Sequence, residues 1–198
     1  MIKVYKYEGK DEDECLEKCI EELDEYASDL IYVTHEEEDN CWVEVVKKAD
    51  VSDYIKEFLN TIVMDMNLDL KLEVREDENI YNVTMVSNNN PILIGKEGKN
   101  LNSIQILLRQ ALNNQTGMDI KVNLDASNYR AKKVRKFEYQ IKNIVREVQK
   151  TKVDTKLDPM NSYQRRIVHS LLSDFSNVTT ESVGEEPNRC VVIKYIGD

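Results

Sequence analysis

Histidine is scarce in this chain: there are two in 198 residues, His35 and His169. That scarcity removes much metal and nucleophilic chemistry at once. No His-x-x-x-His pair is present, and there is no Gly-x-Ser-x-Gly elbow, P-loop or dinucleotide fingerprint. The acid pairs Glu36-Glu37 and Glu185-Glu186 fall in expected loops, where nothing would bury and tune a carboxyl. We therefore expect no catalytic residue, no bound metal and no cofactor. Cysteine is also sparse. Cys15, Cys19, Cys41 and Cys190 are too few for a disulfide framework in a chain of this length, so reduced thiols are expected. Cys15 and Cys19 share a helix face, but no neighbouring His or Cys completes a zinc set. No apolar run approaches the roughly 20 residues that cross a bilayer. The opening Met1 to Lys6 holds no apolar segment like a secretory signal. A cytoplasmic location without membrane insertion is the expectation. With 6 glycines and 3 prolines, no Gly/Ser-rich or Pro-rich linker separates segments, and no repeat or low-complexity tract is visible.

Charge is plentiful but uneven. The formal net charge of −10 argues against a polyanionic partner until it is divided along the chain. Residues 1–50 hold 6 Lys and Arg against 17 Asp and Glu, residues 51–125 hold 7 against 11, and residues 126–198 hold 14 against 9. Within residues 126–156 the balance is 10 against 3. Because fields decay over about 8–10 Å at physiological salt, the local basic stripe decides what is bound, and the whole-chain charge does not.

Hydropathy patterning predicts an α+β fold of three small domains, 1–49, 50–125 and 126–198. The first reads as a βαββ domain. Val4 to Tyr7 is β-prone, and Asp11 with Glu14 has capping-box spacing. Leu16, Ile20, Leu23 and Ala27 recur at helical spacing, and Leu30–Thr34 and Cys41–Val46 form a hairpin about the polar Glu36–Asn40. Trp42 is expected to pack in this core, since the acidic surroundings would repel phosphate. In the second domain an amphipathic helix runs from Val51 to Met66. Leu68 to Val74 and Tyr81 to Met85 then alternate as strands about an Asp77-Glu78-Asn79 turn. Pro91–Ile94 forms one helical turn. Leu101, Ile104, Leu108 and Leu112 mark a second long helix ending at Gly117, and Ile120, Val122 and Leu124 a last strand. The order is α-β-β-α-α-β. The third domain opens on a long helix near Ser127–Lys150. Its stripe of Val134, Phe137, Ile141, Ile144, Val145 and Val148 is surrounded by lysines and arginines. A second helix follows, with Asn161 at its N-cap and Gln164 at the capping-box position, and then strands at Val178–Val183 and Cys190–Ile196.

Two motifs point to nucleic acid. The first is Leu93-Ile94-Gly95-Lys96-Glu97-Gly98-Lys99, set between two helices. Paired glycines let the backbone approach a ligand and adopt angles closed to other residues. The N-terminus of the following helix adds free N–H groups and a positive dipole end, and Lys96 and Lys99 add charge. In the α-β-β-α-α-β order this resembles a type II KH domain, whose Gly-x-x-Gly loop clamps about four nucleotides. The acidic Glu97 departs from that pattern. Ile94 and Ile104 are expected to floor the base site.

The second motif is Arg165 and His169, four apart on one capped helix, a spacing that places both on one face beside the core face. We expect both to be exposed and continuous with a basic surface that includes Lys132, Lys133 and Lys136. The run Asp158 to His169, with Glu181 to Arg189 downstream, resembles the R-three-H domain, named for its Arg-x-x-x-His motif and known to bind single-stranded nucleic acid. A KH domain followed by an R-three-H domain is similar to the bacterial Jag (KhpB) family over residues 50–198. Residues 1–49 keep the family's βαββ pattern but lack its Lys-Lys-Gly-Phe-Leu-Gly-type loop. The resemblance implies a non-enzymatic, post-transcriptional role on single-stranded RNA, with single-stranded DNA as a chemically allowed alternative. It also implies a small single-KH protein as partner, and the reading allows a homo-oligomer. The rival readings are a protein-interaction scaffold and an RNA-processing enzyme.

Overall fold

In the computed structural model, which describes residues 1–37, 40–77 and 79–197, the chain divides into two units, residues 1–129 and 130–198. The expected tips at Glu38, Asp39 and Glu78 lie outside the described residues.

The first unit carries two sheets. Strand β1 (Tyr5–Gly9) leads into helix α1 (Glu12–Leu23), capped by the Asp11 carboxylate, which accepts from the Glu14 N–H at 2.9 Å. The reciprocal arm is displaced by one residue, because the Glu14 carboxylate accepts from the Lys10 N–H at 3.0 Å instead of from the cap. Strands β2 (Leu30–Glu37) and β3 (Asn40–Lys47) complete an antiparallel sheet in the order β1-β3-β2. Alternation along β3 sends Cys41, Val43 and Val45 towards Cys15 and Cys19 of α1 in a small core. Trp42 lies on the opposite face, and this corrects its expected core position. It is half-buried, stacked on His35 with ring centroids 5.0 Å apart, and covered by the Lys6 Nζ at 4.8 Å from its ring.

Helix α2 (Lys48–Asp65) begins at the residue after β3. It is followed by β4 (Leu70–Asp77), β5 (Ile80–Ser87), the short α3 (Asn90–Ile94), α4 (Lys99–Thr116) and β6 (Lys121–Ala126). The sheet order is β4-β5-β6, with β4 antiparallel and β6 parallel to the central strand. The parallel pair needs a crossover, and α3 and α4 supply it. The apolar stripes of α2 (Val51, Ile55, Leu59, Val63) and α4 (Leu101, Ile104, Leu108, Leu112) pack with Tyr81, Val83 and Met85 of β5. Ile2 and Val46 join this core, so the N-terminal sheet and the α-β-β-α-α-β segment share one hydrophobic interior. Gly117 ends α4 in the left-handed region at φ 72°.

The second unit comprises α5 (Tyr129–Thr151), β7 (Thr155–Lys156), α6 (Ser162–Leu172), β8 (Val178–Val183) and β9 (Cys190–Tyr195), in an antiparallel sheet ordered β7-β9-β8. Ile141, Val145 and Val148 of α5 pack with Val168 and Leu172 of α6 and with Val191 and Ile193 of β9. The capping box of α6 is complete: the Gln164 N–H donates to Asn161 Oδ1 at 2.9 Å, and the Asn161 N–H donates to Gln164 Oε1 at 3.3 Å. All four cysteines are buried as free thiols. Among the described residues no helix is long and apolar enough to cross a membrane, and no cluster of His, Cys, Asp and Glu is arranged to hold a metal.

Candidate nucleic-acid interface

The Gly95–Gly98 turn joins α3 to α4, and its conformation explains its composition. Gly95 sits at φ 72°, ψ 178° and Gly98 at φ 86°, ψ 17°, both in space that side chains with a Cβ rarely enter. The turn closes on itself, with the Gly98 N–H donating to the Gly95 oxygen at 3.2 Å. Asn100 anchors it by donating Nδ2–H to the Ile92 oxygen at 2.8 Å. The glycines also serve the protein's own packing. A Cβ on Gly95 would come within 2.6 Å of the Asn100 side chain, and one on Gly98 within 2.8 Å of the Tyr129 ring. Being the N-cap, Gly98 offers no capping side chain to α4. Lys96, Glu97 and Lys99 are exposed, so the turn carries two cations and one acid to solvent beside the N-terminus of an 18-residue helix. Glu97 itself adopts φ 55°.

The two residues expected to floor a base site, Ile94 and Ile104, differ in exposure. Ile94 is half-buried beside the turn, but Ile104 is 5% exposed and belongs to the core. It lies on the α4 stripe with Leu101 and Leu108 and packs with them in the core. Ile92, 47% exposed on α3, is an apolar side chain next to the turn that hydropathy patterning does not single out.

On α5 the residues Lys132, Lys133, Arg135 and Lys136 are all exposed. Phe137 is half-buried and full burial of the apolar stripe begins at Ile141, so the first two turns present mostly basic surface.

Arg165 and His169 share one face of α6, as their spacing requires, but that face is covered. Arg165 is 7% exposed. Its Nη1 donates to the Met160 oxygen at 2.8 Å and to Glu186 Oε1 at 2.7 Å. His169 is half-buried, with Nδ1 2.7 Å from Thr180 Oγ1 and Nε2 2.8 Å from Ser182 Oγ. Thr180 and Ser182 are two apart on β8 and therefore on the same face of that strand. The expected exposure of this pair is thus corrected: the β8–β9 hairpin folds over the side of α6, and the two residues fasten it there. The Met160 N–H donates to the Arg189 oxygen at 3.1 Å and ties the far end of the hairpin turn to the same segment. The sequence offered one signal for this arrangement, the acidic Glu185-Glu186 turn between the two strands, but nothing in it named Arg165 as the partner.

The KhpA/KhpB KH domain family matches residues 52–124, and the R-three-H domain family matches residues 134–195. The chain is similar to the RNA-binding protein KhpB of Clostridium symbiosum, 39% identical over 149 residues, covering 74% of this chain and 67% of that protein. It is also similar to RNA-binding protein KhpB of Bacillus subtilis, 30% identical over 200 residues, covering 94% of this chain and 96% of that one. The relative of the same name from Lactiplantibacillus plantarum is 28% identical over 137 residues, and the match spans 42% of its longer chain. Likeness to the Bacillus relative along nearly its whole length, with both domain families matched in order, places this chain in the KhpB family.

Proposed function

We propose that this chain binds single-stranded RNA without catalysing a reaction on it, through two basic elements in separate units. In the first, the Gly95–Gly98 backbone with Lys96 and Lys99 grips the phosphates, while Ile94 and its neighbour Ile92 receive bases by apolar contact. In the second, Lys132, Lys133 and Lys136 on α5 neutralise further phosphates. Arg165 and His169 act there by holding the β8–β9 hairpin against α6. The observation that carries the reading is the turn itself, two left-handed glycines enclosing exposed Lys96 and Glu97 at the start of α4. The names of the relatives support it, since each is called an RNA-binding protein. Two modest sites on one chain raise affinity through effective concentration, which offsets the acid in the turn. A role in bacterial post-transcriptional control in the cytoplasm, and a small single-KH protein as partner, belong to the same proposal.

The test keeps both glycines and reverses the charge of the two lysines. Lys96→Asp with Lys99→Asp should lower affinity for a labelled single strand at least tenfold in fluorescence anisotropy, with the circular dichroism spectrum retained. Wild-type affinity in the folded double variant would remove the turn from the site. A wild-type chain that binds no single strand but captures protein would favour a scaffold.

A further inference from the structure

Helices α5 and α6 leave between them an apolar cleft of about 400 Å3 that does not include Arg165 or His169; its walls are Glu138, Tyr163, Arg166, Ile167, Ser170 and Leu171. Tyr163, Arg166, Ile167 and Ser170 recur at i, i+3, i+4 and i+7 and so form one stripe along α6. Although aromatic, Tyr163 is 63% exposed. Arg166 and Ser170 are exposed too, while Ile167 and Leu171 are half-buried. An exposed ring beside aliphatic side chains and a guanidinium is the kind of surface on which single-strand binders stack bases. The field around it suits a polyanion, because residues 126–146 hold 7 Lys and Arg.

Glu138 is the one acid in that stretch, half-buried on α5 and in no ion pair among the described residues. A carboxylate opposes phosphate, but it accepts hydrogen bonds from the amino group of a base such as cytosine N4. Uracil carries a carbonyl oxygen in the place of that amino group, so it has only its ring N3–H to offer the acid.

We infer that this cleft is a base-reading subsite. Tyr163 stacks one base of a bound single strand, Glu138 accepts from its exocyclic amino group, and Arg166 meets the adjoining phosphate. Cytosine or adenine is therefore preferred to uracil at that position. The inference rests on the RNA-binding reading above and adds to it a specificity that neither the Gly-x-x-Gly turn nor the Arg-x-x-x-His pair supplies.

Anisotropy with labelled short oligo(C) and oligo(U), using the full chain, tests it. The wild type should prefer oligo(C) by about fivefold, in keeping with one hydrogen bond to a base edge. Tyr163→Ala should weaken oligo(C) binding about tenfold, as loss of one base stack does, while Tyr163→Phe, which keeps the ring, should bind as wild type. Glu138→Gln should erase the preference without lowering total affinity, since it removes a negative charge from a basic surface. A wild type with no preference for oligo(C), wild-type affinity in Tyr163→Ala, or an intact preference in Glu138→Gln would each overturn the subsite and leave RNA binding standing. A wild-type chain that binds neither oligomer would overturn both.

Discussion

Arg165 is the residue whose expected exposure the structure corrects most, and its ion pair with Glu186 gives a sharp test. The two partners are unequally buried: the Arg165 side chain is 9% exposed and that of Glu186 59%. Replacing Glu186 with Ala leaves a largely buried guanidinium with the Met160 oxygen as its remaining acceptor among the described residues. Breaking a fully buried pair costs about 3–5 kcal/mol, and the exposed Glu186 rim reduces this to about 2–3 kcal/mol. Arg165→Met instead leaves a carboxylate that water can reach. The loss is then confined to the hydrogen bonds, about 1–2 kcal/mol, because the thioether chain preserves the packing of the aliphatic stem. The chain has two units, so a single melting curve mixes them. Hydrogen exchange across residues 178–195 reads the second unit alone. A change of about 2 kcal/mol accelerates exchange roughly thirtyfold when opening is at equilibrium. Glu186→Ala should accelerate it more than Arg165→Met, and both folded variants should keep most of their RNA affinity. Equal protection in both variants and the wild type, with RNA binding lost only in Arg165→Met, would make Arg165 a ligand and refute the clamp.

The KH turn should tolerate charge reversal better than added volume. Gly98→Ala, at φ 86° and against the Tyr129 ring, should cost about 2–3 kcal/mol, whereas Gly117→Ala, at φ 72° with nothing within 4 Å, should cost about 1 kcal/mol; paired urea titrations compare them. Replacing Lys132, Lys133 and Lys136 with Gln should flatten the slope of log K against log salt by roughly two, at about 0.7 for each phosphate no longer neutralised, and an unaltered slope would place α5 away from RNA. Burial raises the thiols of Cys19 and Cys41 above their ordinary range, and Cys15 and Cys190 are buried as well. At pH 8 a disulfide exchange reagent should therefore release little colour until denaturant is added, and rapid stoichiometric reaction of the native chain would contradict the buried placement.

What was legible in the sequence was what local chemistry decides. The Val51–Met66 periodicity, the Leu70–Val74 alternation, the Gly117 stop and the Asn161/Gln164 box each specify backbone within a few residues, and the KH order follows from them. What was not legible depends on contacts between distant segments. Helical spacing puts Arg165 and His169 on one side of α6, but whether that side meets solvent depends on a hairpin that begins at Val178 and supplies Glu186 from its turn. The same limit applies to Ile104, which helical spacing places at the margin of the α4 stripe and tertiary packing draws into the core. Trp42 is different, because its side was readable. Glu44, two residues on, shares its face and faces away from the Cys41, Val43 and Val45 core. An aromatic residue in that register belongs outside, and acidic surroundings that repel phosphate do not decide which face it takes.

Ultraviolet crosslinking of the full chain to a single-stranded RNA, followed by peptide mapping, tests the central claim most directly. The account predicts adducts in the peptides that span Ile92–Lys99 and Lys132–Tyr139, with fewer as salt rises. Adducts confined to residues 1–47, or none above those of an unrelated protein, would contradict it.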